Sequence, residues 1–257
     1  MLIDTHCHLT DERLAGEAEE IIASFDRDGL ECAVTVGYDY QSSFGGKQIA
    51  DTHEKVYCTL GIHPHDAKTA KQAIYDEFMT AATDPKVVAI GEIGLDYYYD
   101  LSPREVQQKA FAEQLELAYA CGLPVSLHVR DAYEDCRRIL FDNKHYLMHG
   151  VLLHCYSGSA EMAKVFGKLD AYFAFGGAIT FKNAKHNIES LAVVPRDRLL
   201  VETDCPYMTP VPFRGKTNYP KYVSFVADKM SEVLGLERVE VERLTTENAK
   251  RLFTRIK

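Results

Sequence analysis

No stretch of the 257 residues approaches the roughly 18 consecutive apolar residues of a membrane span. A basic segment followed by an apolar one, the mark of a secretory leader, is also missing, and Met1 runs directly into an apolar stretch. Cysteine is sparse and odd in number: the seven thiols lack the paired short spacings of a zinc ribbon or a disulfide framework. We read them as reduced and expect a cytoplasmic protein. Excess positive charge is lacking too, since 29 Lys and Arg against 38 Asp and Glu leave a net charge of −9. That balance argues against a broad basic surface for gripping long duplexes, so any nucleic-acid role has to be local. There is no linker, no low-complexity segment and no internal repeat beyond the βα unit. The first strand is not followed by the glycine-rich phosphate turn that a doubly wound nucleotide-binding sheet requires.

What is present fits one sizeable core. At 46% hydrophobic residues the chain can bury a substantial interior, and about 250 residues is typical of a (β/α)8 barrel. Eight short apolar runs read as strands: Ile3–His8, Cys32–Val36, Val56–Ile62, Val87–Ile93, Pro124–Val129, Val151–Cys155, Ala171–Phe175 and Arg198–Thr203. Helical patterns separate most of them, at Glu17–Asp28 closed by Gly29, Lys47–His53, Ala67–Thr83, after Ser102, after Asp131 and at Ala160–Lys168. Two more, Tyr222–Leu234 and Val239–Phe253, finish the chain. The clearest local grammar has Ser102 as N-cap, Pro103 at the first helical position, Glu105 completing a capping box, and Gly122 with Pro124 at the end. Asp131 and Glu134 open the next helix in the same fashion. Alternating strands and helices, eight strands in number, predict a single (β/α)8 domain over 1–257, with a doubly wound sheet as the alternative.

The chemistry gathers where those strands end. His6 and His8, His63, Glu92, His128, His154, and Asp204 with Glu202 all fall at carboxyl-terminal strand ends. In an eight-stranded barrel that rim is where active sites are built. Alternation makes His6 and His8 face the same way and turns Cys7, Cys155 and Cys205 toward the helical layer, which removes the thiols as ligands. Glu202 shares parity with Asp204 but lies deeper. It needs a partner, and accepting a hydrogen bond from a ligating imidazole would supply one and fix that ring's tautomer. A ligand set of four imidazoles and two carboxylates is large for one tetrahedral zinc and matches two divalent ions, with Glu92 as the bridge. Asp204, at the end of the eighth strand, can bind one ion and take a proton from its water; His63 and Glu202 join it as catalytic candidates.

The loop from Pro206 to Pro220 is long, stiffened by Pro210 and Pro212, and carries Phe213-Arg214-Gly215-Lys216. Arg214 is suited to binding a substrate phosphate bidentately, or is one arginine of a solvated basic loop. Tyr97 to Tyr99 and Tyr207 are base-stacking faces or packing residues.

In order along the chain, Asp4-Thr-His-Cys-His-Leu9, Gly61-Ile-His-Pro-His65, Gly91-Glu-Ile-Gly-Leu-Asp-Tyr97, Leu127-His-Val-Arg-Asp-Ala132, His154-Cys-Tyr-Ser-Gly158, Glu202-Thr-Asp-Cys-Pro206 and the Arg214 loop resemble the TatD-type metal-dependent deoxyribonucleases of the amidohydrolase superfamily. The resemblance covers nearly the whole chain. It implies a (β/α)8 barrel of the metallo-dependent hydrolase type and a binuclear site at His6, His8, Glu92, His128, His154 and Asp204. The implied ions are divalent, drawn from Zn, Mg, Mn or Ni. It also implies hydrolysis of nucleic-acid phosphodiesters, with DNA as the substrate partner. The acidic balance adds that ends or single strands are preferred. The alternative chemistry is a small-molecule amidohydrolase or lactonase using the same site. We expect no membrane association and no obligate protein partner, hence a monomer.

Overall fold

The structure is a computed structural model describing all of residues 1–257. Its strands are β1 (Leu2–Cys7), β2 (Leu30–Thr35), β3 (Val56–Leu60), β4 (Val87–Asp96), β5 (Val125–Arg130), β6 (Val151–Leu153), β7 (Tyr172–Phe175) and β8 (Leu199–Val201). All neighbours pair in parallel in sequence order, which makes a (β/α)8 barrel. Closure comes just beyond the last strand: the backbones of Cys7 and Cys205 pair in an isolated parallel β-bridge, the His8 amide donates to the Cys205 carbonyl at 2.8 Å, and the Asp204 amide donates to the His6 carbonyl at 2.9 Å. The seam therefore holds two of the predicted metal-ligating stretches side by side.

Apolar strand residues make the barrel because both faces are buried: β1 and β4 have no exposed residue, and the main apolar cluster joins strands to the helical layer. A second cluster joins Ile3, Val34, Val88, Leu152, Ala174 and Leu200 to Leu252, Phe253 and Ile256. Arg255 reaches the carbonyls of Ala82, Asp84 and Val87 at the entry to β4, so the C-terminal tail crosses the end of the barrel opposite the rim.

The helices are α1 (Ala18–Ala23), α2 (Phe25–Asp28), α3 (Tyr40–Thr52), α4 (Gln72–Ala81), α5 (Arg104–Cys121), α6 (Tyr133–Asp142), α7 (Ala160–Phe166), α8 (Lys185–Val193), α9 (Val223–Leu234) and α10 (Arg238–Leu252). Several differ from the sequence expectation. The first stripe breaks at Ser24, whose hydroxyl donates to Ile21 O and Asp28. The second helix starts seven residues early because Asp39 and Ser42 form a capping box, with the Ser42 amide donating to Asp39 Oδ1 at 2.7 Å. The predicted box at Ser102 is absent. Pro103 occupies the N-cap position, and the Ser102 hydroxyl donates instead to the His65 carbonyl at 2.8 Å. Nor does Asp131 cap α6, where Ala132 stands at the N-cap without a side-chain bond. Helix α8 fills a stretch the periodicity left blank. Gly29 and Gly122 close α2 and α5 with φ of 78° and 67°, as a left-handed C-cap requires. No helix is long and apolar enough to cross a membrane.

Candidate metal centre

The rim encloses a cavity of about 600 Å³ lined by His8, His63, Glu92, His128, His154 and Asp204 among others. Glu92 stands at its floor between two groups of imidazoles. Its Oε2 lies 3.5 Å from His6 Nε2 and 3.9 Å from His8 Nε2. Its Oε1 lies 2.9 Å from His128 Nδ1, 2.9 Å from His154 Nε2 and 3.5 Å from His63 Nε2. Asp204 Oδ1 completes the first group, 3.3 Å from His8 Nε2 and 3.8 Å from His6 Nε2. The two histidine nitrogens are 3.3 Å apart.

These spacings fit metal binding. Four donors at bonds of about 2.1 Å from one ion stand about 3.4 Å apart along a tetrahedral edge, and the donor pairs above scatter around that value. Two three-residue groups, His6 with His8 and His63 with His128, each share Glu92 and hold their ligand atoms within 4.8 Å. His63 therefore sits within the ligand cluster rather than apart from it. Burial alone would raise the Glu92 pKa, but His154, His63 and His128 outweigh it and hold the carboxyl well below the ordinary glutamate range. Burial, reinforced by His128, keeps His63 well below the usual histidine range and hence neutral, the form that ligates. Burial also opposes ionisation of Asp204, and the bond to His8 with the charges of His154 and His6 overcomes it.

The surrounding residues hold these donors in position. Buried Glu202 faces His154 Nδ1 at 3.5 Å and accepts the Cys155 amide at 2.5 Å, which suits the supporting role expected of it. Asp4 ties the first strand to the last, accepting Thr203 N at 2.9 Å, Thr203 Oγ1 at 2.6 Å and His6 N at 3.3 Å. Cys7 and Cys205 are fully buried in the apolar core. Cys155 departs from expectation because it lines the cavity. It lies beyond the end of β6 with φ +42°, so strand alternation no longer sets its direction.

Sequence reasoning missed Asp96. Its Oδ2 lies 3.0 Å from His128 Nε2 and 3.1 Å from His65 Nε2, and it is completely buried. Strand parity with Glu92 would have found it, had the strand been carried past Ile93. His65, Arg130 and Phe181, also cavity-lining, were missed as well. Arg214 stands outside the lining, exposed, with its guanidinium 3.8 Å over the Phe181 ring. The tyrosines divide: Tyr97 is engaged by Asp135 at 2.8 Å and Gln108 at 2.7 Å, whereas Tyr99 and Tyr207 line the cavity.

An imidazole and carboxylate cluster of this density at the carboxyl-terminal rim of a (β/α)8 barrel defines a metal-dependent hydrolase. Comparison with known proteins gives the family. The profile described as "TatD related DNase" matches residues 3–254, and the chain belongs to the TatD family. It is 42% identical over 253 residues to the uncharacterized metal-dependent hydrolase YabD of Bacillus subtilis, covering 98% of this chain and 99% of that one. It is 34% identical over 255 residues to the uncharacterized metal-dependent hydrolase YcfH of Escherichia coli K12, covering 98% and 95%. Among solved structures, the TatD homolog YJJV of Escherichia coli K12 superposes with a TM-score of 0.92 at 29% identity, covering 98% of each chain.

Proposed function

We propose that this protein hydrolyses phosphodiester bonds of nucleic acid, acting on strand ends or single strands, with two divalent ions held in the rim cluster. His6, His8 and Asp204 would hold one ion and His128 and His154 the other, with Glu92 within reach of both groups. The observation that carries the reading is Glu92 itself, whose two oxygens address separate imidazole groups, 3.5 Å from His6 on one side and 2.9 Å from His128 and His154 on the other. Divalent ions so held supply Lewis acidity, lowering the pKa of coordinated water toward neutrality and stabilising charge on a phosphoryl oxygen.

The chain's own residues do the rest. Asp204, 15% exposed toward the cavity, accepts the proton of the attacking water at Oδ2, the oxygen left over by the approach of Oδ1 to His8. Glu202 Oε1, 3.5 Å from His154 Nδ1, is placed to orient that ring. His63, kept neutral, supports the second group from 3.5 Å. Arg214, free of any carboxylate, is available to a phosphate of the strand beyond the bond being cut. An acidic protein whose candidate metal ligands line a rim cavity suits a thin, flexible strand better than a long duplex.

The test is a reconstitution with Mg, Mn, Zn or Ni, assayed on 5′- and 3′-labelled single-stranded and duplex oligonucleotides beside a panel of amides and lactones. Cleavage of oligonucleotides that is lost in Asp204→Asn supports the reading. Turnover of amides or lactones with intact oligonucleotides replaces it with a small-molecule hydrolase.

A further inference from the structure

At one lip of the cavity an arginine lies against two tyrosines. Arg130 Cζ is 3.9 Å from the centroid of the Tyr98 ring and 4.9 Å from that of Tyr99. The rings meet edge to face, 4.9 Å apart at 86°. Both tyrosines remain more than half exposed, at 58% and 54%, so Arg130 leaves ring surface open to solvent. Two adjacent tyrosine rings thus present open aromatic faces beside the cavity, the kind of surface on which a base stacks.

The arrangement is fixed by the metal centre's own supports. The amides of Tyr98 and Tyr99 donate to Asp96 Oδ1 at 2.9 and 2.8 Å, while the other oxygen of Asp96 faces His128. Arg130 ends β5 two residues after His128, pairs with Asp96 in the sheet, and accepts the Tyr97 amide at its carbonyl at 2.9 Å. Tyr99 also meets His65 edge to face at 5.4 Å. The lip is therefore rigidly joined to the ligands.

The guanidinium of Arg130 makes no ion pair and no side-chain hydrogen bond, whereas Arg13, Arg104, Arg137 and Arg138 are each paired with a carboxylate. On a chain with net charge −9, carboxylate partners are plentiful, so an unpaired guanidinium beside a cavity has its donors free for an incoming anion. In the loop after β8, three strands on from β5, Arg214 repeats the pattern over Phe181, again without a carboxylate.

We propose that Arg130, Tyr98 and Tyr99 form a nucleotide subsite for single-stranded substrate: the guanidinium takes a backbone phosphate and the open tyrosine faces take unpaired bases. The proposal rests on the phosphodiesterase reading above. Base stacking on tyrosine is sequence-tolerant, and bases paired in a duplex cannot reach it. The subsite thus selects single strands or frayed ends without reading sequence.

The test measures binding of a fluorescein-labelled oligothymidylate with phosphorothioate linkages, which resist cleavage, to metal-reconstituted protein across a salt series. Arg130→Ala should weaken binding about tenfold and lower the slope of log affinity against log salt by about 0.7, the share of one phosphate contact on a single strand. Tyr98→Ala should weaken binding by roughly tenfold with the slope unchanged, because stacking carries no counterion release. Arg130→Lys, which keeps the charge but not the guanidinium fork, should retain the slope at reduced affinity and serves if the alanine variant loses metal or melts early. Wild-type affinity and slope in both Arg130→Lys and Tyr98→Ala overturn the subsite. Wild-type protein that cleaves oligonucleotides while the variants bind as before removes the subsite alone; wild-type protein that neither binds nor cleaves them removes the phosphodiesterase reading.

Discussion

Asp96 and His128 are joined through Asp96 Oδ2 and His128 Nε2 at 3.0 Å, which leaves His128 Nδ1 to face Glu92 at 2.9 Å. The carboxylate thereby fixes the tautomer: a proton on Nε2 frees the Nδ1 lone pair for a metal ion. The same oxygen faces His65, and the partner oxygen orders the loop at Tyr98 and Tyr99.

Asp96→Asn is the first prediction. An amide cannot accept from two imidazoles with a charged oxygen while accepting two backbone amides with the other. Metal affinity should fall about 10- to 100-fold, the usual consequence of losing such a supporting carboxylate. Competition titration against a fluorescent chelator reads this directly, with circular dichroism showing the barrel intact. Unchanged affinity would show that His128 is oriented without Asp96.

His6→Ala is the second. The ring is fully buried, stacked 3.8 Å from His154 at 10°, and its Nε2 faces both Glu92 and Asp204. Its loss leaves the first donor group short by one imidazole and frees space beside the second. Elemental analysis after reconstitution should find one ion fewer per chain than in the wild type, with oligonucleotide cleavage reduced by about 100-fold or more. Full occupancy would refute the assignment of His6 as a ligand.

The third concerns acid stability. Asp11 accepts from Arg13 Nε and Nη2, both at 2.9 Å, and from the Tyr207 hydroxyl at 3.0 Å, linking the first loop to the last. The Arg13 bond, against an opposing burial effect, lowers the Asp11 pKa to about 2. Because the folded value is depressed, the stabilisation is full above the unfolded aspartate value of about 4 and is lost as pH falls toward 2. Arg13 is substantially exposed, so screening limits the contribution to about 1 kcal/mol. Urea unfolding should therefore separate wild type from Asp11→Asn by that amount at pH 7, with the gap narrowing below pH 4. A gap that does not change between pH 7 and pH 3 would exclude this origin.

Much of this was legible in the sequence for physical reasons. Strand ends are marked by where apolar runs stop, and His6, His8, Glu92, His128, His154 and Asp204 all stand at such stops. The structure brings them to one rim because parallel strands share a direction. Other features were hidden. Asp96 lies past a point where Gly94 interrupts the apolar run, so the strand looked finished at Ile93. Cys155 follows a left-handed turn that period-two reasoning cannot anticipate. Helix α8 buries only Ser190 and Leu191, too little to draw an apolar stripe. The Ser102 hydroxyl had a tertiary partner, His65 O, that no local motif reveals.

The last prediction follows from Gly94, which lets β4 run close enough to β5 to set His128. Its φ is +135°, a region that side chains rarely adopt, and a Cβ built there would stand 2.1 Å from the His128 carbonyl oxygen. The obstacle is backbone within a paired strand, with Gly94 partnering His128, so it cannot swing aside as a side-chain tip would. Gly94→Ala must therefore both strain its own backbone and push β5 outward. Destabilisation on the order of 3 kcal/mol is expected, read as a lowered urea midpoint. The displacement falls on the carbonyl of a metal ligand, so the metal affinity that survives in folded protein should fall as well. An alanine variant with wild-type midpoint and metal affinity would mean that the two strands tolerate a wider spacing here, and that His128 is not positioned by the close approach of Gly94.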